Sequence, residues 1–93
     1  MSTMILETPY EMAIGVAERY RNIRKAKKIT LKEVTERSGV PYSTIRRFES
    51  KGEISFPAFV KIVSAIGEDD AITGLLSDHV PASIEEVIRA NRR

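Results

Sequence analysis

Residues 38–52 read SGVPYSTIRRFESKG, and the organisation of this stretch decides the fold. Gly39 can take the positive φ that ends a helix at no steric cost, so the residues before it, 31–38, are expected as one short helix. Thr30-Leu31-Lys32-Glu33 opens that helix as a capping box, in which Thr30 and Glu33 satisfy each other's backbone N–H groups. Val40-Pro41 makes a tight connection into a second helix over residues 42–50, closed by Lys51-Gly52. Its apolar positions are Ile45 and Phe48, three apart, which gives a narrow buried stripe and a wide polar face. Helices this short do not persist alone in water, so longer neighbours must pin them. Val40 is placed to plug the angle between the two, together with Val34, Ile45 and Phe48. Tyr42, Ser43, Thr44, Arg46, Arg47 and Ser50 are left facing outward.

The flanking chain supplies those neighbours. Thr8-Pro9-Tyr10-Glu11 reads as a helix start, with Thr8 as N-cap, Pro9 at the first helical position and Glu11 reaching back. The helix runs to about Lys27, with Val16, Tyr20, Ile23 and Lys27 on one stripe. Gly15 within it costs about 1 kcal/mol relative to alanine and invites an irregular first turn or two. Beyond Gly52, Ser55 starts another helix with Pro57 in its first turn. Phe59, Ile62, Val63 and Ile66 follow at helical spacing, and Gly67 ends it. Residues 70–76 form one or two turns. Pro81 breaks the chain, and Ser83-Ile84-Glu85-Glu86 is a third capping box before Val87 and Ile88. Nothing reads as a strand, so the fold class is all-α.

Composition narrows the chemistry. The chain has 93 residues, 42% of them hydrophobic and 30% charged, which suits one globular domain with a small core. There is no cysteine, so disulfides, thiol nucleophiles and thiolate metal sites are excluded, and a reducing cytoplasm is the expected compartment. No apolar run reaches the ~18–20 residues of a membrane span, and no signal-peptide pattern opens the chain. The single histidine, His79, stands beside Asp78 with no nucleophile or metal partner in sight. The glycines have no phosphate-loop spacing, and Glu85-Glu86 is a helix's first turn. No enzyme, catalytic site, cofactor or metal is expected.

Charge is unevenly spread. Residues 19–51 hold eleven basic and three acidic side chains, while residues 56–93 hold four basic and six acidic ones. A basic first half facing a polyanion and a second half facing something else is the reading this suggests, although solvated helix faces alone produce such patterns. The outward set on the second helix of the pair sharpens it. Arginine donates two hydrogen bonds to guanine O6 and N7, worth ~1–3 kcal/mol of discrimination. Serine and threonine bond bases or phosphates, and a helix N-terminus favours a nearby phosphate. Together, turn, charge and polar face point to DNA.

The stretch VAERYRNIRKAKKITLKEVTERSGVPYSTIRRFESKGEISFPAFVKIVSAIG, residues 16–67, resembles the XRE family of helix-turn-helix regulators, relatives of phage repressor and Cro proteins. The resemblance implies a compact five-helix, lambda-repressor-like domain whose third helix enters the major groove, as a homodimer on a palindromic double-stranded DNA operator. It places base reading on Tyr42, Ser43 and Arg47, with Thr44 and Arg46 nearby. It also implies an ion pair between Arg24 and Glu49. From the basic stretch itself, Arg24, Lys25, Lys28, Lys32, Arg37 and Lys51 are the expected phosphate contacts. Two departures stand out: Leu31 occupies a position often held by glutamine, and Pro41 replaces the usual serine N-cap, fixing φ without a side-chain acceptor.

The tail IGEDDAITGLLSDHVPASIEEVIRANRR is longer than a minimal repressor domain needs. Its order of elements resembles XRE regulators encoded beside HipA-like kinase toxins, where the HipB-like antitoxin represses its own operon and holds the toxin. Leu75, Leu76, Ile84, Val87 and Ile88 would contact that partner, or complete the core or a homodimer seam. The expected division is residues 1–67 as the DNA-binding unit with its N-terminal extension and 68–93 as a helical extension for dimer or partner contact. The expected function is a cytoplasmic transcriptional repressor, nucleoid-associated when DNA-bound. Its alternatives are an antitoxin that mainly neutralises a kinase toxin and a phage-type switch repressor without one.

Overall fold

The computed structural model describes residues 7–77. Five helices occupy them: α1 (Pro9–Ala26), α2 (Leu31–Ser38), α3 (Tyr42–Lys51), α4 (Phe56–Ala65) and α5 (Asp69–Thr73). No strand occurs among the described residues. Both capping boxes form. Thr8 and Glu11 exchange hydrogen bonds at the start of α1, and Thr30 and Glu33 do so at the start of α2. Ser55 caps α4 by accepting from the Ala58 amide. α1 runs unbroken through Gly15, so the irregularity that glycine invited does not occur.

The core is one cluster drawn from four helices and the turn between two of them. Ala17 and Tyr20 come from α1, Val34 from α2, Val40 from the α2–α3 turn, Ile45 and Phe48 from α3, and Ile62 and Val63 from α4, with Ile66 just past it. Phe48 is the hinge of the aromatic packing: its ring meets Tyr20 edge-on at 5.6 Å and Phe59 at 5.4 Å. The Tyr20 hydroxyl donates to the Ile62 carbonyl at 3.0 Å, joining α1 to α4. Val40 plugs the helix pair as the sequence predicted, with Val34, Ile45 and Phe48 all buried around it.

The stripe predicted for α1 is corrected. Its buried line is Ala17, Tyr20 and Arg24, while Ile23 is exposed. Lys27 lies outside the core and its ammonium reaches the Ile66 carbonyl at 2.6 Å and Glu68 at 2.8 Å. Hydropathy misplaces the stripe because its inner positions are held by a small residue and a charged one. The last described helix, α5, is also shorter and earlier than expected, ending at Thr73, and Leu75 and Leu76 beyond it are exposed. The expected capping box at Ser83 and the partner residues Ile84, Val87 and Ile88 lie outside the described residues.

Two turns orient the helix pair. Gly39 ends α2 at φ 77°, in the left-handed region, with its amide bonded to the Thr35 carbonyl. Gly52 ends α3 at φ 72°, and a β-carbon there would sit 2.9 Å from the Ala13 carbonyl carbon of α1. No side chain fits so close to backbone, so the end of α3 rests directly on α1. The α1–α2 turn uses no glycine. Lys28 takes φ 60°, its amide bonds the Lys25 carbonyl, and the Ile29 amide bonds the Arg24 carbonyl. This pair of bonds is the Schellman motif, here with lysine in the position glycine usually takes.

Candidate nucleic-acid interface

α3 has two faces with different chemistry. Ile45 and Phe48 are buried, whereas Tyr42, Ser43, Arg46, Arg47, Ser50 and Lys51 are exposed and Thr44 is half-buried. The inward face carries one charge, Glu49, and it is anchored. Arg24 donates Nε to Glu49 Oε2 at 2.7 Å and Nη2 to Oε1 at 2.9 Å, with both side chains under a tenth exposed. Arg24 Nη1 donates to the Ile29 carbonyl at 2.8 Å, so the guanidinium also braces the α1–α2 turn and, buried there, is not the phosphate contact expected of it. The hydrogen bonds to Glu49 stabilise the charged guanidinium and raise its pKa further. Burial pushes the neighbouring Tyr20 hydroxyl well above its usual range, with the Glu49 charge adding to the effect. That hydroxyl stays a proton donor to α4.

The N-terminus of α3 is open. Pro41, at φ −58°, offers no side-chain cap, and its carbonyl accepts from the Thr44 and Ile45 amides. The amides of Tyr42 and Ser43 therefore have no intrahelical partner and sit at the positive end of the helix dipole. Beside them, Arg21, Leu31, Tyr42, Arg46 and Ser50 line a polar cleft of about 280 Å³ floored by the Arg24–Glu49 pair. Leu31, at the position where the family resemblance expects glutamine, forms part of its wall. Such a surface, with exposed guanidinium groups, hydroxyls and free amides around one helix, offers donors to phosphate and base edges.

The remaining sequence-predicted residues fall into two groups. Lys28, Lys32 and Lys51 are exposed, in the α1–α2 turn, the first turn of α2 and the last turn of α3. Arg37 is also exposed, but its Nη1 donates to the Ala65 carbonyl at 3.1 Å. It shares the C-terminal end of α4 with Lys27, and cations there also oppose the helix dipole. Arg47 donates Nε to Glu53 Oε1 at 2.8 Å across the turn that follows α3. Sequence reasoning missed Glu53, Arg21 and Lys27. A pair six residues apart that bridges a glycine turn has no helical or strand periodicity to betray it. Among the described residues, no group of three His, Asp or Glu side chains could hold a metal.

A second surface is apolar. Val16, Tyr20, Ile23, Phe59, Val63 and Ile66 line a trough of about 170 Å³ between α1 and α4, with Glu68 and Arg19 on its rim. None of the outward side chains of α3 borders it.

Two short helices meeting at a glycine turn, the second with its polar face free, make this a helix-turn-helix domain of the lambda-repressor-like kind. A helix-turn-helix family model matches residues 21–72, more than half of the sequence, and the chain belongs to that family, of the XRE type. It is thereby a DNA-binding transcription regulator in class. No curated protein and no solved structure matches the chain. None of its described helices is long and apolar enough to cross a membrane.

Proposed function

We propose that the protein is a sequence-specific repressor that binds a palindromic operator as a homodimer, reading it through α3. The observation that carries this reading is the division of α3 between an anchored inner face and an outer face of Ser43, Arg46, Arg47 and Ser50 that the core does not use. In this mechanism Lys28, Lys32, Arg37 and Lys51 dock on phosphates and supply affinity by releasing counterions. Tyr42, Ser43, Thr44, Arg46 and Arg47 then contact base edges. Two-fold symmetry sets the two recognition helices about 34–36 Å apart, one turn of B-DNA. Repression follows from blocking polymerase at an overlapping promoter, in the cytoplasm and on the nucleoid.

The same proposal divides the chain into a DNA-reading unit through residue 67 and an extension from residue 68 that contacts a second copy or a partner. The exposed Leu75 and Leu76 and the trough between α1 and α4 support such a contact. Following the resemblance of the tail, the regulator is a HipB-like antitoxin that autoregulates an operon shared with a HipA-like kinase toxin. A gel-shift titration on the DNA upstream of its own gene, at two salt concentrations, tests the reading. Discrete, competitor-resistant shifts that weaken steeply with salt are expected. Shifts no stronger than those on unrelated duplex would remove operator binding and leave a protein-interaction role. Deleting residues 77–93 then separates the roles of the tail: toxin capture lost with DNA binding kept supports the antitoxin, and loss of the dimer supports the seam.

A further inference from the structure

Arg46 and Arg47 are adjacent on the outer face of α3, yet the structure treats them differently. Among the described residues Arg46 has no acidic partner, whereas Arg47 is held by Glu53 through Nε alone. A guanidinium has five N–H donors, and using Nε–H leaves the four on Nη1 and Nη2. Those two nitrogens form the terminal edge, whose paired donors match guanine O6 and N7. A carboxylate on the Nε side thus fixes the plane of the group and leaves its base-reading edge free.

The position of Glu53 is itself fixed. It follows Gly52, whose left-handed backbone rests against α1 so closely that no other residue fits. Glu53 therefore has a defined place relative to α3. Its charge is out of keeping with the surrounding surface, since a carboxylate beside a recognition helix repels DNA phosphates. Holding an arginine in one conformation before binding offsets that repulsion, because a long side chain otherwise loses rotamer freedom on contact.

We infer that Glu53 is a specificity-determining positioning residue, which orients Arg47 so that its terminal edge meets one guanine in each operator half-site. This inference rests on the DNA-reading assignment of α3 proposed above. Its partner chemistry is a guanine major-groove edge, and its mechanism is preorganisation of a donor pair.

The test uses the full chain and a random-sequence duplex library. Sites enriched by the wild type are resynthesised with each of the four base pairs at every position, and affinities are compared with those for an unrelated duplex. Glu53→Gln keeps an acceptor but removes the charge. It is expected to bind the unrelated duplex more tightly while losing about fivefold or more of the discrimination at a single G·C pair. Arg47→Ala is expected to lose discrimination at that same pair, and adding Glu53→Gln to it should change selectivity no further. If Glu53→Gln raises affinity equally for every sequence with the selectivity profile intact, Glu53 is only a repelling charge and the inference falls. Loss of discrimination in the Arg47→Ala background also overturns it. Failure of the wild type to enrich any sequence would be a different result, one that removes the DNA-reading assignment itself.

Discussion

Two arginine–carboxylate pairs of nearly equal length each take one member from α3, Arg24–Glu49 at 2.7 Å on its inner side and Arg47–Glu53 at 2.8 Å on its outer side. Their surroundings separate them. The inner side chains are 8% and 7% exposed, and the outer ones 65% and 51%. Buried charges interact strongly but have given up their hydration, so each depends on its partner. Exposed charges keep their water, and their pairing adds little to stability. The same chemistry thus clamps a helix on one face and leaves a side chain available for a ligand on the other.

Breaking the inner pair gives the largest effect. Arg24→Ala or Glu49→Ala should cost ~3–5 kcal/mol, because the surviving charge stays buried without its close partner; after Arg24→Ala, Glu49 keeps only the exposed Arg21 at 3.9 Å. Urea denaturation measures this. The double replacement Arg24→Met with Glu49→Leu should recover much of the loss, since no unpaired charge remains. A cost below about 1 kcal/mol for each single variant would mean that the pair does not fix α3 on α1.

Arg47→Ala should change unfolding by less than about 1 kcal/mol. Its effect belongs to binding: ~1–3 kcal/mol of discrimination lost at one base pair of each half-site. Lys28→Ala should instead weaken all sequences alike and make the plot of log affinity against log salt shallower by about one. Titrations of both variants on matched and single-substituted duplexes, over a salt series, distinguish the two. Equal losses on every duplex would erase the division between reading and docking.

Lys28 also separates backbone from charge. Its left-handed conformation is strained for a residue with a β-carbon, so Lys28→Gly should stabilise the fold by about 1 kcal/mol. Its charge is lost in the same step, so DNA affinity should fall while the thermal midpoint rises. Midpoint and affinity moving in the same direction would contradict that separation.

The smallest effect concerns pH. The Thr30 amide, bonded to the Glu33 carboxylate, holds its pKa below the usual 4.5. A carboxyl group with a depressed pKa in the folded state stabilises the fold above its unfolded value. That contribution is lost as pH falls through the folded value. Stability should therefore decline in acid below about pH 4.5, and Glu33→Ala should flatten part of that decline. Glu33 is a member of neither ion pair, so its replacement should leave DNA selectivity at neutral pH unchanged.

Local signals were the legible ones. The capping boxes at Thr8 and Thr30, the glycine stops at Gly39 and Gly52, and the plug at Val40 each act within a few residues, and the sequence alone places them. Helix faces were legible where the inner residues were large and apolar, as with Ile45 and Phe48. The inner face of α1 was not legible, because Ala17 and Arg24 point inward: alanine has little hydropathy, and arginine reads as solvent until Glu49 is brought beside it by the fold. The left-handed Lys28 carried no glycine to announce it. Glu53 was invisible for a related reason, because its pairing with Arg47 depends on the turn at Gly52 and not on any spacing within a helix.

The outer face of α3 is the surface proposed to read DNA. Backbone amide NMR shifts of the labelled protein, followed while an enriched duplex is added, test it most directly. The largest changes are expected at Tyr42, Ser43, Arg46 and Arg47, smaller ones at Lys28, Lys32 and Lys51, and little at Ile23 or Val63. Changes concentrated along the trough between α1 and α4, with the α3 amides unmoved, would contradict it.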